Sequence, residues 1–61
     1  MKPGDFIVEH QTGRRAGKID FGVIMGVEDR GVLDVIFPMG RLYTFEEHCQ
    51  PYLEWLSENG F

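Results

Sequence analysis

The residues best suited to catalysis are an adjacent pair, His48 and Cys49. An imidazole can activate a thiol for nucleophilic attack when the two groups lie within about 2.6–3.2 Å of each other. Adjacent side chains generally point in different directions, and the sequence offers no third group that would orient the imidazole. We therefore expect no catalytic residue and no enzymatic activity, and we interpret the Cys49 thiol as a small apolar group.

A metal site would need further ligands beside this pair. The candidates are His10, Glu46 and Glu47. Zinc ligands commonly come in pairs separated by a few residues, whereas these positions are scattered along the chain. We therefore expect neither a metal site nor a cofactor.

A glycine-rich basic segment, residues 13–18, resembles a phosphate-binding loop. Such a loop has four residues between its glycines, then a Lys followed by Ser or Thr, and a helix behind it. Here three residues separate Gly13 from Gly17, Ile19 follows Lys18, and a strand is predicted next. The segment is therefore interpreted as an exposed loop whose guanidinium groups could still bind an anion. The alternative anion-binding residues are Arg14, Arg15, Lys18 and Arg41.

The charge balance argues against nucleic acid as the main partner. The chain has six Lys and Arg against ten Asp and Glu, a net charge of −4, and residues 46–61 contain four Glu but no Lys or Arg. Proteins that bind DNA or RNA gain most of their affinity from basic side chains that displace counterions from phosphates. We expect a protein partner and keep nucleic-acid binding by the basic loop as the alternative.

Aromatic residues are concentrated beside these glutamates, in the last third of the chain. They are Tyr43, Phe45, Tyr52, Trp55 and Phe61. Rings at the rim of a small domain can bind a peptide or a methylated cation, and Trp and Tyr are favoured contact residues in interfaces. The same rings could instead fill the core, and the sequence leaves both interpretations open. The predicted partner-binding residues are Tyr43, Phe45, Glu46, Glu47, Tyr52 and Trp55.

The elements that must position these residues are short stretches rich in Val, Ile and Phe, separated by glycines and prolines. This pattern is typical of a small all-β sandwich or barrel. Strands are predicted at residues 6–10, 19–27, 32–37 and 41–45. Gly31 and Gly40 supply turns that would make the last three strands an antiparallel meander.

The segment 19–27 has the clearest alternation of the chain. Its odd positions, which include Phe21 and Val23, are all apolar, so we expect them in the core together with Val35 and Phe37. Gly22 and Gly26 lie on the opposite side of the strand. Glycines inside a strand indicate a bend, a bulge or the close approach of another backbone.

The C-terminal quarter admits two interpretations. Residues 44–47 have the spacing of a capping box and Pro51 would stop a helix, so a single helical turn is expected at residues 46–49. Beyond it, a proline at the start and Gly60 at the end suit a short helix. A five-stranded barrel instead needs residues 52–56 as its closing strand. We prefer the strand and leave the helix open.

Length and composition set the outer limits. Sixty-one residues allow one domain, residues 1–61, with a small core. The chain is 43% hydrophobic, which is too apolar for a disordered segment, but it has no apolar run of the about 18–20 residues that a membrane span needs. A signal peptide is not expected either. One cysteine cannot form an internal disulfide, so stability must come from the core or from a partner, a second copy included.

Four short segments resemble the SH3-like or Tudor-like (KOW-type) small β-barrels. They are residues 3–8 (PGDFIV), 22–27 (GVIMGV), 35–40 (VIFPMG) and 52–54 (YLE). The Gly-Asp start, the Val-x-Phe-Pro-x-Gly turn and the Leu-Glu end among these segments are also similar to stand-alone barrels encoded by tailed bacteriophages. This resemblance implies an all-β fold: a single antiparallel barrel of four to five strands with a short helical turn near the C-terminus.

The resemblance to phage barrels also implies a function. It is that of a non-enzymatic protein-binding accessory protein that docks on a larger viral assembly or on a host protein. Its location would be the cytoplasm of a bacterial host, or the virion.

Two other segments resemble parts of the RNA-polymerase-interacting domain of CarD-type regulators. They are residues 4–10 (GDFIVEH) and 41–47 (RLYTFEE). In that family a strand edge docks on the polymerase β subunit by strand pairing. This second resemblance implies an RNA-polymerase-binding transcription modulator as another alternative.

Overall fold

The computed structural model describes residues 1–60, which form an antiparallel sheet followed by a short helix. The elements are β1 (Phe6–His10), β2 (Ile19–Val27), β3 (Val32–Phe37), β4 (Gly40–Phe45), β5 (Cys49–Pro51) and α1 (Tyr52–Glu58). Single turns of 3₁₀ helix lie at Gly13–Arg15, Asp29–Gly31 and Glu46–His48. Phe61, which the sequence places in the aromatic cluster, lies outside the described residues.

The strand order β4-β3-β2-β1-β5 confirms the all-β fold and the predicted meander of β2, β3 and β4. Gly31 has a φ of 75° and Gly40 a φ of 142°, as the two predicted turns require. The helical turn after β4 is also confirmed. Its capping box does not form, because Thr44 belongs to β4 and is buried.

The sheet curls around its core without closing. β4 and β5 are its edges, and no backbone pairing joins them in the described chain. Even so, the side chains of Thr44 on β4 and Cys49 on β5 are hydrogen-bonded to each other. Residues directly opposite each other in neighbouring strands share a face, so the curled sheet has an inner face and an outer face.

The inner face forms the hydrophobic core. One cluster of side chains, each at most 4% exposed, spans β1, β2 and β3, and the half-buried Cys49 packs against it. The members of the cluster are Ile7, Ile24, Leu33, Val35 and Phe37. The predicted burial of Val35 and Phe37 is therefore confirmed.

The predicted core face of β2 is wrong. The structure buries Gly22 and Ile24 and places Phe21, which is 43% exposed, and the half-buried Val23 on the outer face. The reason is crowding inside the curl, since a Cβ at Gly22 would lie 2.5 Å from Cγ1 of Val35. A side chain has no room at that position, so the face that carries glycine lies inside and the fully apolar face lies outside.

The two glycines of β2 serve different purposes. Gly22 allows the close approach of β3, as expected from a glycine inside a strand. Gly26 lies beside a bulge, because the register of β2 against β3 shifts between Ile24 and Gly26. The bulge adds curvature to the sheet.

The C-terminal segment forms the helix α1, and the preferred closing strand at residues 52–56 is therefore wrong. The fifth strand is the shorter β5, which pairs with β1 and ends where Pro51 lies opposite Ile7. Proline has no N–H to continue the ladder of hydrogen bonds. Tyr52, Trp55 and Leu56 then follow the i, i+3, i+4 spacing of one helix face, and all three are half-buried.

We predict that Gly22→Ala lowers the free energy of unfolding by about 1–3 kcal/mol, because overpacking a core forces neighbouring side chains out of position. The new Cβ would lie 2.5 Å from Val35 Cγ1, 2.9 Å from Phe37 Cδ1 and 3.0 Å from the Ile36 carbonyl oxygen. Urea unfolding followed by circular dichroism measures the change.

Gly26→Ala is the matched control, because its Cβ would meet its nearest neighbour, Asp34 Cβ, at an ordinary 3.8 Å. We expect it to change the free energy of unfolding by less than about 0.5 kcal/mol. Equal effects of the two substitutions would show that crowding does not decide which face of β2 is buried.

Candidate functional site

An apolar groove of about 540 Å³ opens on the outer face of the sheet, between its first three strands and α1. Its walls are Phe6, Phe21, Val23, Ile36, Pro38 and Tyr52. Phe37 and Gly22 contribute to its floor from the packed interior. The groove is therefore a depression over the core, with almost no polar group in its lining.

The groove follows from the register of the strands. Phe6 lies opposite Val23, and Val23 lies opposite Ile36, so the three side chains form one row across β1, β2 and β3. Phe6 is 65% exposed and Ile36 is 41% exposed. Single exposed apolar side chains are common on protein surfaces, but a contiguous row of them beside a groove marks an interaction surface.

Three aromatic rings pack together where α1 meets β2. Phe21 meets the rings of Tyr52 and Trp55 edge to face, with centroids 5.8 and 5.2 Å apart, and Tyr52 stacks on Trp55 at 6.2 Å. Val8, opposite Phe21 in the register, is fully buried where α1 packs on β1. Tyr52 and Trp55 thus attach the helix to the sheet through Phe21, and Tyr52 also forms part of the groove wall.

A polar network holds the acidic side of α1 in place. The Gln50 amide nitrogen donates to Glu54 Oε1 at 3.2 Å and to Glu58 Oε2 at 2.6 Å. The amide oxygen of Gln50 lies 3.0 Å from His10 Nε2. This side of the outer face therefore carries two exposed carboxylates on a fixed helix.

The predicted partner-binding residues fall into two groups. Tyr52 lines the groove and Trp55 stacks on it, and both are half-buried against Phe21 of β2. The other four lie on or just after β4, at the opposite edge of the sheet from β5 and α1. These are Tyr43, Phe45, Glu46 and Glu47, all of them exposed. The structure does not bring the six residues together in one site.

Five of the six groove walls were not predicted as site residues from the sequence: Phe6, Phe21, Val23, Ile36 and Pro38. The signal that could have found them is the composition of β2, where one face carries two glycines and the other carries only apolar side chains. Glycines that admit a close neighbour belong to the crowded side of a curled sheet. The opposite, fully apolar face then has to lie outside.

The alternative anion-binding residues are also separated. Arg14, Arg15 and Lys18 are exposed in the loop between β1 and β2. Arg41 lies in the cross-strand row of Phe6, at the other end of β1 from that loop.

Arg41 is already paired with a carboxylate. Its Nε donates to Asp34 Oδ1 at 2.9 Å and its Nη2 to Asp34 Oδ2 at 2.6 Å. This two-pronged bond lowers the pKa of Asp34 and raises the pKa of Arg41. The pair therefore stays ionised at neutral pH, and the Arg41 charge is balanced within the chain.

The thiol of the adjacent pair His48 and Cys49 is half-buried. Burial, with a smaller contribution from the Glu9 carboxylate, raises the pKa of the Cys49 thiol to about 11. A thiol that keeps its proton at neutral pH is a poor nucleophile. The His48 imidazole lies near a carboxylate: its Nε2 atom is 3.8 Å from Glu47 Oε1.

Residues 1–60 also lack two kinds of feature. Within that range no three His, Cys, Asp or Glu side chains lie close enough together to hold a metal ion. None of its helices has the length and apolar character required to cross a membrane.

No protein-family model, curated protein or solved structure matches this chain. The resemblance to SH3-like, Tudor-like and phage-encoded barrels therefore stays a prediction. The same holds for the similarity to the CarD-type domain.

Proposed function

We propose that this chain is a non-enzymatic protein-binding module and that the apolar outer groove is its contact surface. The observation that supports this most directly is the row of Phe6, Val23 and Ile36 beside the rings of Tyr52 and Phe21. The proposed setting is the one implied by the resemblance to phage barrels. The chain would dock on a viral assembly or on a host protein, in the bacterial cytoplasm or in the virion.

Energetics favour a protein segment with large apolar side chains as the occupant. Fully burying a Phe side chain contributes about 1.5–3 kcal/mol, and Phe6 is 65% exposed. Anchor residues that fill an apolar depression carry most of the binding energy of an interface. A second groove, lined by Met1, Asp5 and Leu53, continues the surface past Phe6 and Tyr52.

The charges near the groove indicate which charged residues should lie next to the apolar residues of the partner. Glu54 and Glu58 come after the groove residue Tyr52 on α1, and residues 46–61 contain no Lys or Arg. On the β4 side the Arg41 charge is balanced by Asp34. A segment with Lys or Arg next to its apolar residues is therefore complementary in charge.

Selection from a library of displayed linear peptides tests the proposal. We expect enriched peptides to combine large apolar residues with Lys or Arg. Trp55, the only tryptophan of the chain, stacks on Tyr52, which lines the groove, so we expect its fluorescence to change on binding. In a titration followed this way, Phe6→Ser should raise the peptide Kd at least about tenfold, a loss of about 1.4 kcal/mol.

Phe45→Ser is the matched control, because Phe45 is 51% exposed but lies at the far edge of the sheet. We expect it to leave the peptide Kd unchanged. Equal losses in both variants, or enrichment of acidic peptides, would contradict the proposal. Trp55→Ala is less informative, since this ring also packs against Phe21 and its removal would loosen α1.

The nucleic-acid alternative makes opposite predictions. Under it, mixed-sequence duplex DNA would bind tightly, and log affinity would fall with log salt at about −0.9 per phosphate contact. Substituting both Arg14 and Arg15 by Ala would then remove binding, whereas Phe6→Ser would not. We expect no tight DNA binding at physiological ionic strength.

A further inference from the structure

The two edges of the sheet differ in their ability to accept another strand. β5 has three residues and ends at Pro51, which is followed directly by α1. β4 has six residues and pairs only with β3 among the described strands. The backbone N–H and C=O groups on the other side of an edge strand have no strand partner within the sheet. β4 is therefore the open edge of this fold.

β4 lacks the usual protection of an edge strand. Such strands are commonly blunted by proline, by a bulge or by a charge that points outward. β4 contains no proline, and its register with β3 runs without interruption from the pair Val32 and Phe45 to the pair Phe37 and Gly40. Its charged residue, Arg41, is bonded to Asp34 on the neighbouring strand.

The charges along this edge have a direction. Arg41 lies at its start, and Glu46 and Glu47 follow immediately after its end. Arg41 stays 61% exposed in its bond with Asp34, so in a second copy of the same strand, added antiparallel, its guanidinium group could also contact the two glutamates of the first copy. A parallel copy would instead place like charges side by side. The edge is thus complementary to itself in the antiparallel orientation.

We propose that two copies of this chain pair antiparallel through β4 and form a two-fold symmetric dimer with one continuous sheet. A two-fold axis perpendicular to a sheet places each residue opposite one of the same face. The register centred on Tyr43 meets this condition. It sets Tyr43 opposite Tyr43 of the second copy and Arg41 opposite Phe45 of the second copy, beside the glutamates.

The exposed side chains of β4 gain contacts in this arrangement. Tyr43 is 68% exposed, Leu42 is 52% exposed and Phe45 is 51% exposed. Cross-strand aromatic pairs and oppositely charged pairs both stabilise strand pairing. One pair of short strands buries less area than a standard interface. We therefore expect a weak dimer, with a Kd between the micromolar and millimolar ranges.

Sedimentation equilibrium of the full chain over a range of concentrations tests the dimer. The mass should rise from the 7.0 kDa of one chain toward the mass of a dimer. The double variant E46K/E47K would place lysines near Arg41 of the second copy, so its Kd should be at least about tenfold higher. The wild-type dimer should also weaken as salt is added, because the paired charges lie at the surface.

The double variant E54K/E58K is the matched control. It makes the same change in charge, but on α1, beside the opposite edge of the sheet, and it should dimerise like the wild type. Hydrogen exchange followed by NMR gives the second readout. Amides within residues 41–45 should gain protection as the protein concentration rises, and the amides of β5 should not.

Three results would each overturn the proposal. One is a monomer at millimolar concentration whose β4 amides gain protection only when a displayed peptide is added, which would make the edge a site for a foreign strand. Another is a dimer lost in Phe6→Ser but kept in E46K/E47K, which would place the contact in the groove. The third is equal loss of the dimer in the two lysine variants. Because Phe6→Ser tests the groove and E46K/E47K tests the edge, the two proposals fail independently.

Discussion

Replacing Phe37 with Ala should lower the free energy of unfolding by about 3–5 kcal/mol, the usual cost of emptying a buried aromatic site. Phe37 is 4% exposed and belongs to the core cluster with Val35 and Leu33. Its ring also lies against Gly22, where a Cβ would be 2.9 Å from Phe37 Cδ1. At about 0.05–0.15 kcal/mol per residue, a domain of this length has only about 3–9 kcal/mol of stability. The substitution should therefore remove a large part of the stability of the domain and lower its Tm steeply.

Thermal unfolding followed by circular dichroism measures this loss. Phe45→Ala is the control, because the same residue type is removed from a position that is 51% exposed. That variant should lose less than about 1 kcal/mol. A Phe37→Ala protein with an unchanged Tm would contradict the core described here.

The native Cys49 thiol should react with iodoacetamide more than about 100-fold more slowly than the same thiol in the urea-unfolded chain. Its folded pKa of about 11 results first from burial and then from the Glu9 carboxylate, with the Thr44 hydrogen bond acting in the opposite direction. At about pH 8, a pKa of 11 leaves about 0.1% thiolate, whereas the ordinary value of about 8.5 leaves about a quarter. Because only the thiolate reacts, the rate should follow this fraction.

The same shift predicts a pH dependence. Since the folded chain holds the thiol proton more tightly than the unfolded chain, stability falls as the pH rises from about 8.5 towards 11. Mass spectrometry of timed alkylation reactions, repeated over a pH series, measures the rate. Glu9→Gln removes the nearby negative charge and should speed the reaction. Complete labelling of the native wild type within the dead time at about pH 8 would rule out a protonated, half-buried thiol.

Strands and turns could be predicted from the sequence because their signals are local. The alternation in β2 and the turn residues Gly31 and Gly40 depend only on neighbours along the chain. Which face of β2 lies inside depends on the curl of the whole sheet. That property arises from the fit of Gly22 against Val35, and no window of adjacent residues contains both.

The secondary structure of the C-terminal segment likewise depends on residues outside the segment. Residues 52–58 carry both strand and helix signals. The outcome depends on Pro51 lying opposite Ile7 in β1, where the ladder of hydrogen bonds has to stop. The groove shows the same limit. Tyr52 could be found because aromatic residues stand out, whereas Phe6 and Ile36 become neighbours only through Val23.

The loop between β1 and β2 is closed at its base. The Gln11 backbone N–H donates to the Lys18 carbonyl oxygen at 2.9 Å, and the Gln11 side chain donates to Glu9, at 2.6 Å, and to Asp20. Residues 12–17, which lie beyond these hydrogen bonds, are all exposed. The length of the loop can therefore change without disturbing the sheet. Doubling the length of a flexible loop costs only about 0.6 kcal/mol in closure entropy. An epitope or a reporter peptide grafted at this point would be carried by an unchanged scaffold, with the groove and the β4 edge both left free.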